Sequence, residues 1–508
     1  MIKQFLNKLG ISPSGFAGGI HPDMRKWTEQ SPIQTCPLPS LLVIPMKQHI
    51  GHICSPLVGI GERVLRGQKI AKAEGYLSVP VHAPTSGTVI KIEEHAIPHP
   101  SGMGLQSIFI EPDGLDERDT SLAPMPDWQA QDVGALRERV RMCGIAGLGG
   151  ATFPTFIKLV HDQKNPIETV ILNGIECEPF LTNDHRLMVE HQDEVLHGMR
   201  IIMHMVHAQH GIIAIEDNKP DAIAAMQHAV NALDGTHNIR VLAMPTRYPQ
   251  GSEKQLIEAI TGKQVPAGKL PMHVGVLCQN IATTRAIYEA VVLGYPLTER
   301  VVTISGDAVP EGSNMRVRLG TSMRFVYEQC GLTDFSGIQL LHGGPMMGER
   351  LRHPDIPVVK SSTGLLALQQ DIFKQAHPVE EPCIRCGHCS QACPIQLTPN
   401  LLADHCRNEQ LEKAQDYHLF DCIECGACSY VCPSHIPLVH YFRFAKGQVA
   451  QVRREQQFAE ASRQRSASRE ARIAREKEEK AAKRRKVRAK QTPVASADDA
   501  TPQTSVKD

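Results

Sequence analysis

Eight cysteines fall into two runs: Cys383, Cys386, Cys389 and Cys393-Pro394, then Cys422, Cys425, Cys428 and Cys432-Pro433. Each reads C-x-x-C-x-x-C-x-x-x-C-P, and the second repeats the first at an offset of 39 residues. Thiolate is a soft ligand, suited to zinc and to iron–sulfur clusters. Three thiolates from one tight loop can cap three irons of a cubane cluster, leaving the fourth iron to a cysteine from elsewhere. Structural zinc asks instead for C-x-x-C pairs separated by a longer loop, which two proline-ended quartets match poorly. Disulfides are disfavoured too, because Met1-Ile2-Lys3 leads into no long apolar stretch and an export signal is not expected. The fixed φ of Pro394 and Pro433 turns the chain away after each loop. The chemistry implied is passage of single electrons through the protein.

The spacing resembles that of bacterial two-cluster ferredoxins, in which the fourth cysteine of each run serves the other cluster. The resemblance assigns Cys383, Cys386, Cys389 and Cys432 to one 4Fe–4S cluster, and Cys422, Cys425, Cys428 and Cys393 to a second. The predicted setting is a ferredoxin-like helical module over residues 376–446. The other seven cysteines are scattered singly, as expected of core packing in a reducing compartment.

The elements that must position this centre occupy most of a 508-residue chain, long enough for several domains. Lysine plus arginine and aspartate plus glutamate balance at 54 each. The balance hides a gradient. Residues 451–490 carry 15 Lys/Arg against 6 Asp/Glu, and the last 18 residues are net −2, so the body before them is net −7. No run of 18 apolar residues occurs, so no segment is expected to span a membrane, although peripheral attachment stays open.

Residues 1–120 read as an extended arm followed by a β module with short apolar alternations broken by Gly and Pro. Gly61–Ile70 and Val81–Ile90 resemble the barrel sandwich of biotinyl and lipoyl carriers. The hairpin tip between them reads Glu74-Gly75-Tyr76-Leu77-Ser78, without the carrier lysine. The expectation is a structural or docking module. Residues 121–295 alternate helix-like and strand-like segments, the mark of α/β architecture. There a glycine-rich loop, Gly144 to Ala151, runs into a helix expected near Pro154. Glycines let backbone approach a phosphate or a flat ring closely, and a helix start offers free N–H groups to an anion. The strand Thr169–Leu172 ends in Asn173-Gly174-Ile175-Glu176-Cys177-Glu178-Pro179, where open α/β sheets bind ligands.

Gly147-x-Gly149-Gly150-Ala151-x-Phe153-Pro154 with Lys158, then Asn173-x-x-Glu176-x-Glu178-Pro179, resembles the flavin- and NADH-binding subunit of respiratory complex I. Tyr248-Pro249-Gln250-Gly251-Ser252-Glu253 and Gln279-Asn280-Ile281-Ala282-Thr283 continue the likeness, as does a β-grasp domain expected over 296–350. The resemblance implies that Gly147, Gly149 and Gly150 lie against FMN or its phosphate and that Lys158 neutralises phosphate or charge on reduced flavin. It implies hydrogen bonds from Asn173 and Asn280 to ring edges, and roles in ribose or flavin contact for Glu176, Glu178 and Glu253. Phe153 is expected to stack on nicotinamide or adenine, with Tyr248, Gly251 and Thr283 completing the site. Three positions depart from the pattern: Leu148 for its arginine, Ile175 for its aspartate and Ser252 for its first glutamate.

The domain order, carrier-like module, flavin/NADH fold, β-grasp, linker at 351–375, two-cluster module, resembles the C-subunit family of the Rnf, or Rsx, ion-translocating electron-transport complexes. That family implies a peripheral subunit on the cytoplasmic side of the bacterial inner membrane. It would oxidise NADH through FMN and pass electrons through two 4Fe–4S clusters to an iron–sulfur or flavin partner subunit. A soluble cobalamin (corrin) reductase shares the order, and a docking subunit that has lost its nucleotide would fit the three departures. Gly343 to Gly348 could shape the nucleotide site, but a connecting loop is the preferred reading. Residues 447–508 read as a solvated helix or disordered tail, with Lys483–Lys486 able to attract anionic lipid and specific nucleic-acid binding not expected.

Overall fold

The computed structural model describes residues 15–99, 101–160, 162–369 and 379–491, with side chains to 487. The start of the predicted arm (1–14), residues 370–378 at the linker's end and the predicted disordered end beyond 491 lie outside the described residues. The chain divides into two units, Met1–Phe442 and Arg443–Asp508.

The arm crosses the first unit and leads into two small sheets. One orders its antiparallel strands as Leu42–Pro45, Gly104–Pro112, Gly87–Ala96 and Arg63–Val64. The other pairs Ser55–Pro56, Lys69–Lys72 and Val81–His82. Leu42, Ile44, Ile70, Ile108 and Ile110 are fully buried in the core that the two sheets share. At the hairpin tip, Tyr76 meets Phe156 edge-on at 5.7 Å, and Ile50 N donates to Thr152 O beside it. The carrier-like hairpin therefore rests on the glycine loop.

Next comes a four-stranded parallel sheet in the order Ile239–Met244, His210–Glu216, Thr169–Gly174, Val276–Asn280. Val170-Ile171-Leu172 and Ile212–Ile215 are buried continuously, as strands covered on both faces must be. Ahead of the glycine loop runs the helix Val133–Met142, with the Asp132 carboxylate accepting from Ala135 N at its start. The helix expected near Pro154 is the single turn Thr155–Lys158.

A six-stranded sheet follows, ordered Ile33–Thr35, Ser313–Arg318, Glu299–Ser305, Gly364–Gln369, Ile338–His342, Glu349–Arg350. Two of its strands come from the arm and from the predicted linker. Gly364–Gln369 runs Leu365-Leu366-Ala367, fully buried, which gives it a place inside a sheet and not in a tether.

In the cysteine module the duplication is written in the backbone. Positive φ recurs 39 residues apart at Arg385 and Glu424 (57° and 59°), Gly387 and Gly426 (80° and 79°), and Gln396 and His435 (58° and 52°). Each loop then enters a short helix, His388–Ala392 or Ala427–Tyr430. The last helix, Leu438–Gln491, makes up the described part of the second unit, and its side chains from 451 to 487 are exposed. So polar a face cannot bury a core, and the helix is the solvated kind. No helix among the described residues is long and apolar enough to cross a membrane.

Candidate functional site

A cleft of about 710 Å³ opens past the carboxyl ends of the parallel strands. That volume lies within the range of ligand clefts, roughly 300–1,000 Å³. All thirteen residues singled out above for flavin and nucleotide line it: Gly147, Gly149, Gly150, Phe153, Lys158, Asn173, Glu176, Glu178, Tyr248, Gly251, Glu253, Asn280 and Thr283.

The glycine loop closes on itself. Gly147 N donates to Phe153 O and Thr152 N to Gly147 O. The peptide groups of Leu148 are pinned from both sides: its N–H donates to Thr283 Oγ1 at 2.8 Å, and its carbonyl accepts from Arg300 Nη2 at 2.9 Å. The Leu148 side chain, 3% exposed, turns into the core. A leucine here thus leaves the loop's backbone, the part that meets a ligand, firmly held. At the loop's exit Thr155 Oγ1 lines the cleft, buried and without a hydrogen-bond partner. An orphan hydroxyl at a helix start beside Gly149 and Gly150 fits a phosphate.

Asn173 and Asn280 stand opposite each other in register at the ends of adjacent strands. Asn173 donates to Gly251 O and accepts from Ile175 N, which shapes the loop. Asn280 caps the helix Ile281–Tyr288 through Thr283 N and donates to Asp184 Oδ2 at 2.6 Å. Lys158 pairs with Glu253 at 2.6 Å, both side chains about one third exposed (32% and 36%). An anion entering the cleft would compete with Glu253 for that ammonium.

The Glu176 carboxylate accepts from Asp184 N and His185 N and so begins the helix Asn183–Glu190. Glu178 accepts from Met346 N and Met347 N. Burial raises Glu178 to about 7, with those two N–H groups pulling the other way. Burial also raises Asp184 to about 7, and the neighbouring Glu176 adds to the rise. Asp184 and Thr155 escaped the sequence reading. A polar residue just after the acidic loop was the only signal for the first, and the helix-start position for the second. The loop Gly343–Gly348, read as a connection, forms part of the cleft wall through Gly343, Gly344, Met347 and Gly348.

The cysteines sort into two sets. Cys383, Cys386, Cys389 and Cys432 together line one small cavity of about 20 Å³, with Asn400, Pro433 and Ile436. Of these, Cys383 and Cys386 are exposed. In the other set Cys393, Cys425 and Cys428 are buried and Cys422 is half-buried. Burial raises the Cys425 thiol to about 12, with Cys422 and Cys393 adding repulsion, and Cys428 is raised by burial, by Cys425, Cys422 and Cys393, and by Cys389 of the first set. Mutual repulsion of this kind marks sulfurs that converge. A metal centre would take these sulfurs as thiolates and release their protons. Among the described residues no group of three or more His, Cys, Asp or Glu is arranged around a single metal ion. In the first set the fourth cysteine, Cys432, comes from the other run.

The cleft and the buried set share a wall. Ile423, between Cys422 and Cys425, lines the cleft, and Tyr248 OH donates to Cys425 O at 2.6 Å.

Comparison with known proteins matches three segments of the chain. Residues 140–289 match the Nuo51 FMN-binding domain, 14–115 the RnfC barrel sandwich hybrid domain, and 380–436 a 4Fe-4S dicluster domain. The C subunit of the ion-translocating oxidoreductase complex of Pseudomonas aeruginosa is 43% identical over 92% of this chain and 60% of its own length. The C subunits of the same complex from Yersinia pseudotuberculosis and Yersinia pestis are each 45% identical over 91% of this chain, and over 65% and 74% of their own length. This chain thus spans about 60 to 65% of the first two relatives. A solved NAD+-reducing NiFe hydrogenase overlays 62% of each chain at 16% identity and a TM-score of 0.46, too loose a likeness to argue from. With its barrel sandwich, its flavin fold and its paired cysteine runs each matched, the chain belongs to the RnfC family, the C subunits of ion-translocating oxidoreductase complexes.

Proposed function

We propose that this chain is the electron-entry subunit of a membrane complex that couples electron transfer to ion translocation, taking electrons from NADH and passing them to partner subunits. The carrying observation is the shared wall: Ile423 lines the cleft while its neighbours Cys422 and Cys425 belong to the buried cysteine set. FMN, when bound, exchanges a two-electron hydride for single electrons, which two 4Fe–4S clusters can carry.

The chain's own residues hold and orient. Gly149, Gly150, Thr155 and Lys158 face a phosphate, Asn173 and Asn280 offer amides to a flat ring, and the carboxylates of Glu176, Glu178 and Glu253 meet ribose hydroxyls or tune the ring's charge. Phe153, half-buried at the loop's end, offers a stacking face. Thiolates of Cys422, Cys425, Cys428 and Cys393 hold the cluster next to the cleft. Those of Cys383, Cys386, Cys389 and Cys432 hold the outer one, whose exposure suits delivery to another iron–sulfur or flavin subunit. The six-stranded module is read as the β-grasp domain of this family. The subunit sits peripherally on the cytoplasmic side of the membrane.

Anaerobic purification with flavin and iron analysis, followed by NADH-dependent reduction of ferricyanide, tests the reading. A protein free of flavin and inert to NADH ends it, leaving a docking subunit. Co-purification with membrane subunits separates it from a soluble reductase.

A further inference from the structure

We propose that Lys26, in the arm ahead of the barrel sandwich, is a positioning residue for the cleft: its ammonium serves as a built-in cation around which the turn Glu176–Leu181 folds. The role, though not the geometry, rests on the reading of the cleft given above.

Lys26 Nζ donates to Glu176 O at 2.7 Å, Glu178 O at 2.8 Å and Leu181 O at 2.7 Å. An ammonium has three protons to give, and one turn of main chain accepts all three. Such convergence of carbonyl oxygens is what a bound monovalent cation would demand. The turn needs it. Phe180, a bulky residue, sits at φ +70°, in the left-handed region. The arm secures that residue too: Phe180 N donates to Met24 O, Trp27 meets its ring edge-on at 5.2 Å, and Thr28 Oγ1 bonds Thr182 Oγ1 at 2.6 Å.

The turn carries cleft chemistry on its other side. Glu176, Cys177, Glu178 and Leu181 all line the cleft. Gly251 N donates to Cys177 Sγ at 3.3 Å, and Cys177 is 8% exposed. Without the ammonium, three carbonyls are left facing one another. Their repulsion would open the turn, swing both carboxylates from the cleft and uncover Cys177.

The test uses the full chain, anaerobically, as Lys26→Ala. That substitution removes a three-carbon stem and its ammonium, which n-propylammonium replaces. Two readouts are followed: flavin affinity, and the rate at which iodoacetamide labels Cys177, scored by peptide mass spectrometry. The variant is expected to bind flavin at least tenfold more weakly and to label at least tenfold faster, with n-propylammonium restoring both and tetramethylammonium neither. Lys26→Met, which keeps the volume without the charge, should show the same defects with no rescue, and serves if Lys26→Ala does not fold. Native labelling in Lys26→Met, or defects in Lys26→Ala that n-propylammonium leaves untouched, would overturn the proposal. Native protein that binds no flavin would sink the cleft reading alone, because Cys177 labelling still reports on Lys26.

Discussion

The phenol of Tyr248 donates to the main-chain oxygen of Cys425 at 2.6 Å. Tyr248 lines the cleft and is 1% exposed, while Cys425 belongs to the buried cysteine set. One hydrogen bond thus fastens the nucleotide side of the protein to the electron-carrying side. Tyr248→Phe removes the donor and little else. Losing a buried hydrogen bond costs about 1–3 kcal/mol, so the melting temperature should fall by several degrees. Stopped-flow mixing with NADH should show normal flavin reduction and slowed bleaching of the iron–sulfur absorbance.

The two cysteine sets should fail differently. Cys428→Ser, in the buried set, should leave NADH reduction of ferricyanide intact but stop electrons from reaching the outer set. Cys386→Ser, in the exposed set, should leave the buried set reducible by NADH. Iron should fall by about half in each. Low-temperature EPR after NADH addition distinguishes them, and an outer set still reduced by NADH in Cys428→Ser would reverse the proposed order.

Glu178 titrates far from its ordinary value of 4.5, raised by burial to about 7. A carboxyl whose folded pKa is raised favours the fold in its protonated form. That contribution is full below about 4.5 and is lost as pH climbs through 7. Glu178→Gln removes the titration and keeps one acceptor oxygen, where Glu178 offers Oε2 to Met346 N and Oε1 to Met347 N. Melting temperature plotted from pH 5 to pH 8 should therefore decline less in the variant than in the native protein, with Asp184 supplying what slope remains.

Gly344 is fixed by proximity. A Cβ there would overlap Glu178 Oε2 and stand 2.6 Å from its Cδ. Gly344→Ala must push the carboxylate aside. Overpacking of this kind costs about 1–3 kcal/mol. Reduced flavin retention on gel filtration, with iron content unchanged, is the expected result.

What could be read from residues alone follows a physical line. The cysteine runs and the glycine loop are local: their spacing dictates their geometry, so Cys383 to Cys432 and Gly147 to Lys158 announced themselves. Contacts made across the chain did not. Lys26 reaches residues 150 to 155 positions away, and Arg300 reaches Leu148 across 152, with nothing in their neighbours to mark either. The strand Gly364–Gln369 hid in a supposed linker because its burial depends on partners at Glu299–Ser305 and Ile338–His342. Glycines and a proline at Gly343–Gly348 likewise suggest a connection, since composition reports flexibility but not what a loop lies against.

The hairpin at Glu74–Ser78 has one more implication. A modifying ligase that attaches lipoate or biotin to such a tip would find no lysine to acylate, and the nearest, Lys72, is engaged with Glu74 at 3.1 Å. Tyr76, 65% exposed, sets its ring edge-on to Phe156. A scaffold that elsewhere carries a swinging arm thus offers no lysine at its tip to which one could be attached.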